Sequence, residues 1–239
     1  MRWSGRRVLA VGAHPDDESW ACGGLLRRAA NEGAAVRVLT LTRGEAGFDR
    51  LARRRGEALA VVRVAELRAA CALLGAEVTV AALRDGRVTL EAAFTVIRRA
   101  LVEHAGSEPC VIVGLGLDGG YGHRDHIAAV LASTAVAAAC PGVCVLGAVF
   151  GAGVMTPLRD RVRGFGIVDP DFVAGPLGGE SWDLEVALTQ GELAAKVRAI
   201  GAHASQLGVG GPEALFPSGI VQRIVPVERY RLLAGAPPW

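Results

Sequence analysis

Val8-Leu9-Ala10-Val11-Gly12-Ala13-His14-Pro15-Asp16-Asp17-Glu18 is the stretch on which the reading of this chain turns. Its first half is a short apolar run of the kind that forms a buried strand. Its second half sets one imidazole and three carboxylates within five positions. Adjacent carboxylates repel, and at the rim of a core they are tolerated chiefly where a cation or a catalytic task holds them. Pro15 fixes its own φ and biases His14 towards extended backbone, so the strand stops there and the side chains splay.

Working outward, the same strand-then-loop pattern recurs. Helix is expected from Gly24 to Asn31, strand from Ala35 to Leu41, and a loop over Thr42-Arg43-Gly44-Glu45-Ala46-Gly47. A long helix from about Leu51 to Leu74 ends on Gly75, a short strand spans Glu77 to Ala81, and Arg84-Asp85-Gly86 is a turn. Helix follows from Glu91 to His104, strand from Cys110 to Leu115, then a glycine-rich loop and a helix starting near His123. Beyond Gly151 the pattern weakens: Trp182 to Val186 reads as strand, Glu192 to His203 as helix, Gly208 to Gly219 as loop, Ile220 to Leu232 as one or two strands, and Ala234 to Trp239 as a tail. Alternating strands and helices with continuously apolar strands give an α/β fold, a Rossmann-like three-layer sandwich whose mostly parallel sheet carries helices on both faces. The expected organisation is one domain over residues 1–239, with 151–239 shaping the substrate site and closing the sheet. Ligands in such sheets sit at the strand C-terminal ends, where the His14 cluster, the Arg43 loop, Asp85 and the loop from Gly116 to His126 all fall.

Composition narrows the function. A net charge of +2 in 239 residues gives no electrostatic case for nucleic acid or an anionic membrane. Residues Ile127 to Leu158 carry no charge, long enough to suggest a membrane span, but Pro141-Gly142 cuts the stretch into an alanine-rich helix and a β-branched strand. The five cysteines are odd in number and form no CxxC pair, which predicts reduced thiols and a cytoplasmic protein. The N-terminal apolar run is short and ends in acids, unlike a signal peptide. Oligomeric state is left open, a homo-oligomer included.

The second cluster is Gly119-Gly120-Tyr121-Gly122-His123-Arg124-Asp125-His126. His123 and His126 share a face on a first helical turn, and the glycines let a substrate approach the backbone. One of these histidines, with His14 and Asp17, makes a two-His, one-carboxylate set that leaves a position open for water on Zn²⁺ or Fe²⁺. His104 and His203, judged on spacing alone, read as structural.

These residues resemble the paired motifs of the LmbE/PIG-L family of zinc-dependent N-deacetylases: Ala13-His14-Pro15-Asp16-Asp17-Glu18 and Gly122-His123-Arg124-Asp125-His126. Thr42 to Gly47, Arg63-Val64-Ala65-Glu66-Leu67, Lys196 with Ala202-His203-Ala204-Ser205-Gln206, and Glu228-Arg229-Tyr230-Arg231-Leu232 extend the likeness along most of the chain. Gly119 to Gly122 is most similar to the branch acting on the glucosamine-inositol precursor of mycothiol. The resemblance implies His14, Asp17 and His126 as metal ligands, Zn²⁺ as the cofactor with Fe²⁺ as the alternative in vivo, and Asp16 as general base. His123 would stabilise the oxyanion or protonate the amine, Asp125 would hold its ring, and Tyr121 would polarise the carbonyl. Arg63, Asp85 and Glu45 fall where substrate is contacted. Arg124 stands where the family usually has proline.

The implied activity is removal of the acetyl group from a small-molecule N-acetylglucosamine-type substrate, giving acetate and a free amine. Cleavage of a thiol conjugate or an N-acylated antibiotic sugar is the alternative among amidases, and a non-catalytic sugar-binding protein the alternative of another class. Gly114-Leu115-Gly116-Leu117-Asp118-Gly119 matches a dinucleotide fingerprint, but it does not follow the first strand and lacks an acid about twenty residues on.

Overall fold

Strand β1 (Arg7–Gly12) leads into helix α1 (Asp17–Asn31), β2 (Ala35–Thr42) into α2 (Gly56–Leu74), and β3 (Glu77–Leu83) into α3 (Leu90–Ala105). β4 (Cys110–Leu115) is followed by a single turn, α4 (Gly119–Gly122), then α5 (Arg124–Ala139) and β5 (Val143–Ala148). The remainder comprises α6 (Thr156–Val162), β6 (Leu184–Ala187), α7 (Gln190–Ala202), the single turns α8 (Ala204–Leu207), α9 (Pro212–Leu215) and α10 (Val221–Ile224), and β7 (Val227–Ala234). The structure is a computed structural model describing residues 2–217 and 219–237, except the side chains at 214 and 215. The end of the expected tail, Pro238 and Trp239, lies outside the described residues.

The strands form one sheet in the order β3-β2-β1-β4-β5-β7-β6. β1 pairs in parallel with β2 and β4, β2 with β3, and β4 with β5, while β7 runs antiparallel to β5 and β6. β1, β4 and β5 are buried nearly throughout, as strands covered on both faces must be. One face is covered by α1, α2 and α7 through Leu25, Leu67, Leu74 and Ala199, the other by α3 and α5 through Ile97, Leu101, Ala132 and Val136. Each fully buried leucine among these contributes roughly 1.5–3 kcal/mol. The chain runs outward from β1 to β3 on one side, then returns to start β4 on the other. That reversal opens a crevice beyond the C-terminal ends of β1 and β4.

The uncharged stretch resolves, as expected, into buried helix α5 and buried strand β5, joined through Pro141-Gly142. Other expectations are corrected. α2 begins at Gly56 rather than Leu51, because the Asp49 carboxylate takes the N–H groups of Leu51 and Ala52 at 2.8 Å and folds the segment into a turn instead. α1 begins at Asp17, seven residues before the expected start at Gly24. The helix is broken at Cys22 (φ −149°), and the N–H groups of Gly24 and Leu25 bond the Glu228 carboxylate at 2.8 Å. That carboxylate also pairs with fully buried Lys196 at 2.8 Å, so a polar knot from β7 and α7 satisfies the break. Ile220 to Leu232, expected as one or two strands, gives one turn of helix and then the single strand β7. Among the described residues no helix is long and apolar enough to cross a membrane.

Candidate functional site

The loop after β1 is held by its own acids. Asp17 Oδ2 accepts the N–H groups of Ala13 (2.8 Å) and His14 (2.9 Å), folding the carboxylate back onto the strand end. A Cβ at Gly12 would lie 2.9 Å from that of Asp17, so the close approach requires glycine. Asp16 has a φ of 129°, rarely adopted by a side-chain-bearing residue. Its N–H donates to Glu18 Oε2 at 3.1 Å, and its carbonyl accepts from Ser19 and Trp20. Thr42, at the end of β2, braces the same loop through Oγ1 to the Ala13 carbonyl at 2.8 Å.

The second cluster meets the first at the crevice. His14 Nδ1 lies 2.9 Å from His126 Nε2, and Asp17 reaches both, with Oδ1 3.3 Å from His126 Nε2 and Oδ2 3.9 Å from His14 Nδ1. Outside this convergence each ring is fixed by oxygen: His14 Nε2 by Asp85 Oδ1 (3.1 Å) and Asp125 Oδ2 (3.3 Å), His126 Nδ1 by the Gly119 carbonyl (3.0 Å). Oxygen acceptors put protons on those outer nitrogens, so the two nitrogens that face each other either share one proton or turn their lone pairs to a cation that replaces it. Two lone pairs and a carboxylate converging on one point fit a cation. Burial opposes charge on His14, yet its hydrogen bonds to Asp125 and Asp85 carry its pKa up to about 10, while burial lowers that of His126. Burial also opposes charge on Asp17, but His126, His14 and the backbone donors bring its pKa below the usual carboxylate range.

His14, His123 and His126 also place donor atoms within 4.8 Å of one another, as do His14, Asp85 and Asp125. His123 is the N-cap of α5 and its Nδ1 accepts the Asp125 backbone N–H at 3.1 Å, which leaves the proton of the neutral ring on Nε2. Burial, with His126 and His14 close by, keeps that ring neutral. Its ring is thus held by the Asp125 backbone and not, as the resemblance implied, by the Asp125 carboxylate. That carboxylate serves His14 and the N–H groups of Gly86 and Val88.

Burial lifts the Asp16 carboxyl to about 6 against the pull of Arg63, whose Nη2 is 3.3 Å from Asp16 Oδ2. Arg63 also donates to the carbonyls of Pro15 (2.6 Å) and Gly44 (3.1 Å), clamping the two loops together. Tyr121 packs edge-on against His123 and His126, and burial holds its phenol protonated. Asp85 stands at the site, its pKa brought to about 2 by His14 despite burial. Glu45 stands behind it, accepting the Asp85 N–H at 2.9 Å, and does not line the cavity. The remaining eight expected site residues, all but Glu45 and Asp125, line one cavity of about 320 Å³.

The sequence reading gave Glu18 no separate role and took His203, on spacing alone, as structural. Glu18 Oε1 meets His203 Nε2 at 2.9 Å and accepts from Ser19 Oγ at 2.5 Å, all buried directly behind Asp16. These partners are 185 residues apart in sequence, so no spacing reveals the pair. His104 does take its structural reading, its Nε2 on the Val8 carbonyl at 3.1 Å.

A deacetylase of Actinosynnema mirum, named for 1D-myo-inositol 2-acetamido-2-deoxy-alpha-D-glucopyranoside, is 34% identical, with 96% of this chain and 92% of the relative covered. Two solved structures share the fold. An N,N'-diacetylchitobiose deacetylase from Pyrococcus horikoshii matches with a TM-score of 0.63 at 18% identity, over 96% of this chain and 84% of that one. A 4-carboxy-2-hydroxymuconate hydratase from Pseudomonas putida matches with a TM-score of 0.62 at 15% identity over 98% of each chain, so the fold by itself does not choose the reaction. A family model described as PIG-L, GlcNAc-PI de-N-acetylase, matches residues 9–138, more than half of the sequence, and the chain belongs to the PIG-L family.

Proposed function

We propose that this protein removes the acetyl group from an N-acetylglucosamine-type substrate in the cytoplasm, using a divalent cation held by His14, Asp17 and His126. The observation that carries the reading is the convergence of His14 Nδ1, His126 Nε2 and the Asp17 carboxylate beside Asp16, His123 and Tyr121 in one cavity. Zn²⁺, or Fe²⁺ in its place, supplies Lewis acidity towards water and an amide oxygen when bound. Asp16 accepts the proton of the attacking water at its carboxylate, held by Arg63. His123 Nε2–H and the Tyr121 phenol donate towards the developing oxyanion and the departing nitrogen, and acetate and a free amine leave. Beyond Gly151 the single domain walls the substrate cavity through Met155, Leu158, Ile167 and Phe216 among others. Five free thiols suit a reducing compartment.

Acetate release from N-acetylglucosaminyl-inositol by the zinc-loaded protein tests this reading. Asp16→Asn is expected to retain the metal and lose about 10²- to 10⁴-fold in kcat. Equal turnover in variant and wild type removes Asp16 from the mechanism.

A further inference from the structure

The cavity has two unlike halves. His14, Asp16, Asp17, Arg63, His123 and His126 make one; Trp20, Phe150, Met155, Leu158, Ile167 and Phe216 make much of the other. The second half is continuous with an apolar cluster separate from the two cores that flank the sheet, and Trp20 packs edge-on against Phe216 at 4.5 Å. Among the described lining residues it presents no charged side chain. Gln206, at the boundary, already donates to Ser205 Oγ at 3.1 Å. Hydroxyls seated against these apolar side chains would lose water without gaining partners from them.

This wall is tied to the second motif through its unusual residue. The Arg124 N–H donates to the Ile167 carbonyl at 3.0 Å, and the Asp169 N–H to the Gly122 carbonyl at 2.7 Å. Proline at 124 has no N–H to give. Val162 and Ile167 both line the cavity, and Phe165 between them in sequence stands 75% exposed.

We propose that the substrate carries an apolar alkyl or aryl group beside its N-acylated sugar, and that the half of the cavity walled by Trp20, Phe150, Leu158, Ile167 and Phe216 binds it. This inference rests on the deacetylase reading for the sugar. Two sources share the chemistry: an apolar aglycone and an acyl chain longer than acetyl.

Two series of glucosamine derivatives test it, with amine release giving kcat/KM. In the first, the aglycone of an N-acetylglucosaminide is methyl, inositol, hexyl or phenyl; in the second, methyl glucosaminide carries acetyl, butanoyl or hexanoyl on nitrogen. One series is expected to climb by about fourfold for each methylene buried, and which one climbs identifies the source. In Ile167→Asn the hexyl-to-methyl ratio falls towards one. Two flat series with the methyl or inositol compound still hydrolysed overturn the apolar site and leave the deacetylase reading intact. Absence of amine from every compound sinks the deacetylase reading instead, and calorimetric titration with the hexyl and methyl glycosides then decides. A dissociation constant lower for hexyl by about fourfold for each methylene buried supports the apolar site, and equal constants overturn it.

Discussion

The imidazoles of His14 and His126 face each other nitrogen to nitrogen, Nδ1 to Nε2 at 2.9 Å, while Asp85, Asp125 and the Gly119 carbonyl hold their outer nitrogens. That contact needs positive charge between the two nitrogens, a proton or a metal cation in its place, and the acids behind His14 favour that charge. Partners of this kind orient a ligand ring and raise its basicity. Asp125→Asn is therefore expected to weaken zinc binding about 10- to 100-fold, read by competition with a chromophoric chelator. Unchanged affinity would show that the ring needs no such support.

Glu18 acts on Asp16 through the backbone. Its Oε2 accepts the N–H of Asp16, whose φ of 129° needs such restraint, and its Oε1 is anchored by His203 and Ser19. Glu18→Gln should lower kcat about 10- to 100-fold by misplacing the base, with KM within about twofold of wild type. Loss of thermal stability with kcat intact would make Glu18 purely structural.

The Lys196–Glu228 pair is buried at the break in α1, where Glu228 also holds two N–H groups and the Tyr230 phenol. Lys196→Met leaves that carboxylate buried without its cation, and chemical denaturation should show a loss of about 3–5 kcal/mol. A loss no larger than that of an exposed lysine would contradict the assignment.

Glu192 closes the capping box of α7 with Thr189 and pairs with Arg28 of α1 at 2.7 Å. Arg28 holds its carboxyl at about 2, below the usual 4.5. Since the folded pKa lies below the unfolded one, the stabilisation is complete above pH 4.5 and is lost as pH falls towards 2. Wild type should melt above Glu192→Gln at pH 7, and the gap should close across that window. A gap independent of pH would exclude the ion pair as its source.

Much of this was legible in the sequence because strand and loop chemistry is local. The apolar runs at 8–11, 110–115 and 143–148 are strands, and the two acid-and-histidine loops meet where a parallel sheet brings strand ends together. What was not legible depended on distant partners. The break at Cys22 needs Glu228, the Asp16 support needs His203, and the use of the Arg124 N–H needs Ile167. The late start of α2 was a local contest that helical periodicity concealed, since one aspartate side chain takes two N–H groups from the segment expected to begin the helix.

The most direct measurement is the metal content of the purified protein, wild type beside His126→Ala. The account predicts about one zinc or iron per wild-type chain and a marked loss in the variant, with the fold retained by circular dichroism. Equal metal in both proteins, or none in either after reconstitution, would contradict the convergence of His14, Asp17 and His126 on a cation.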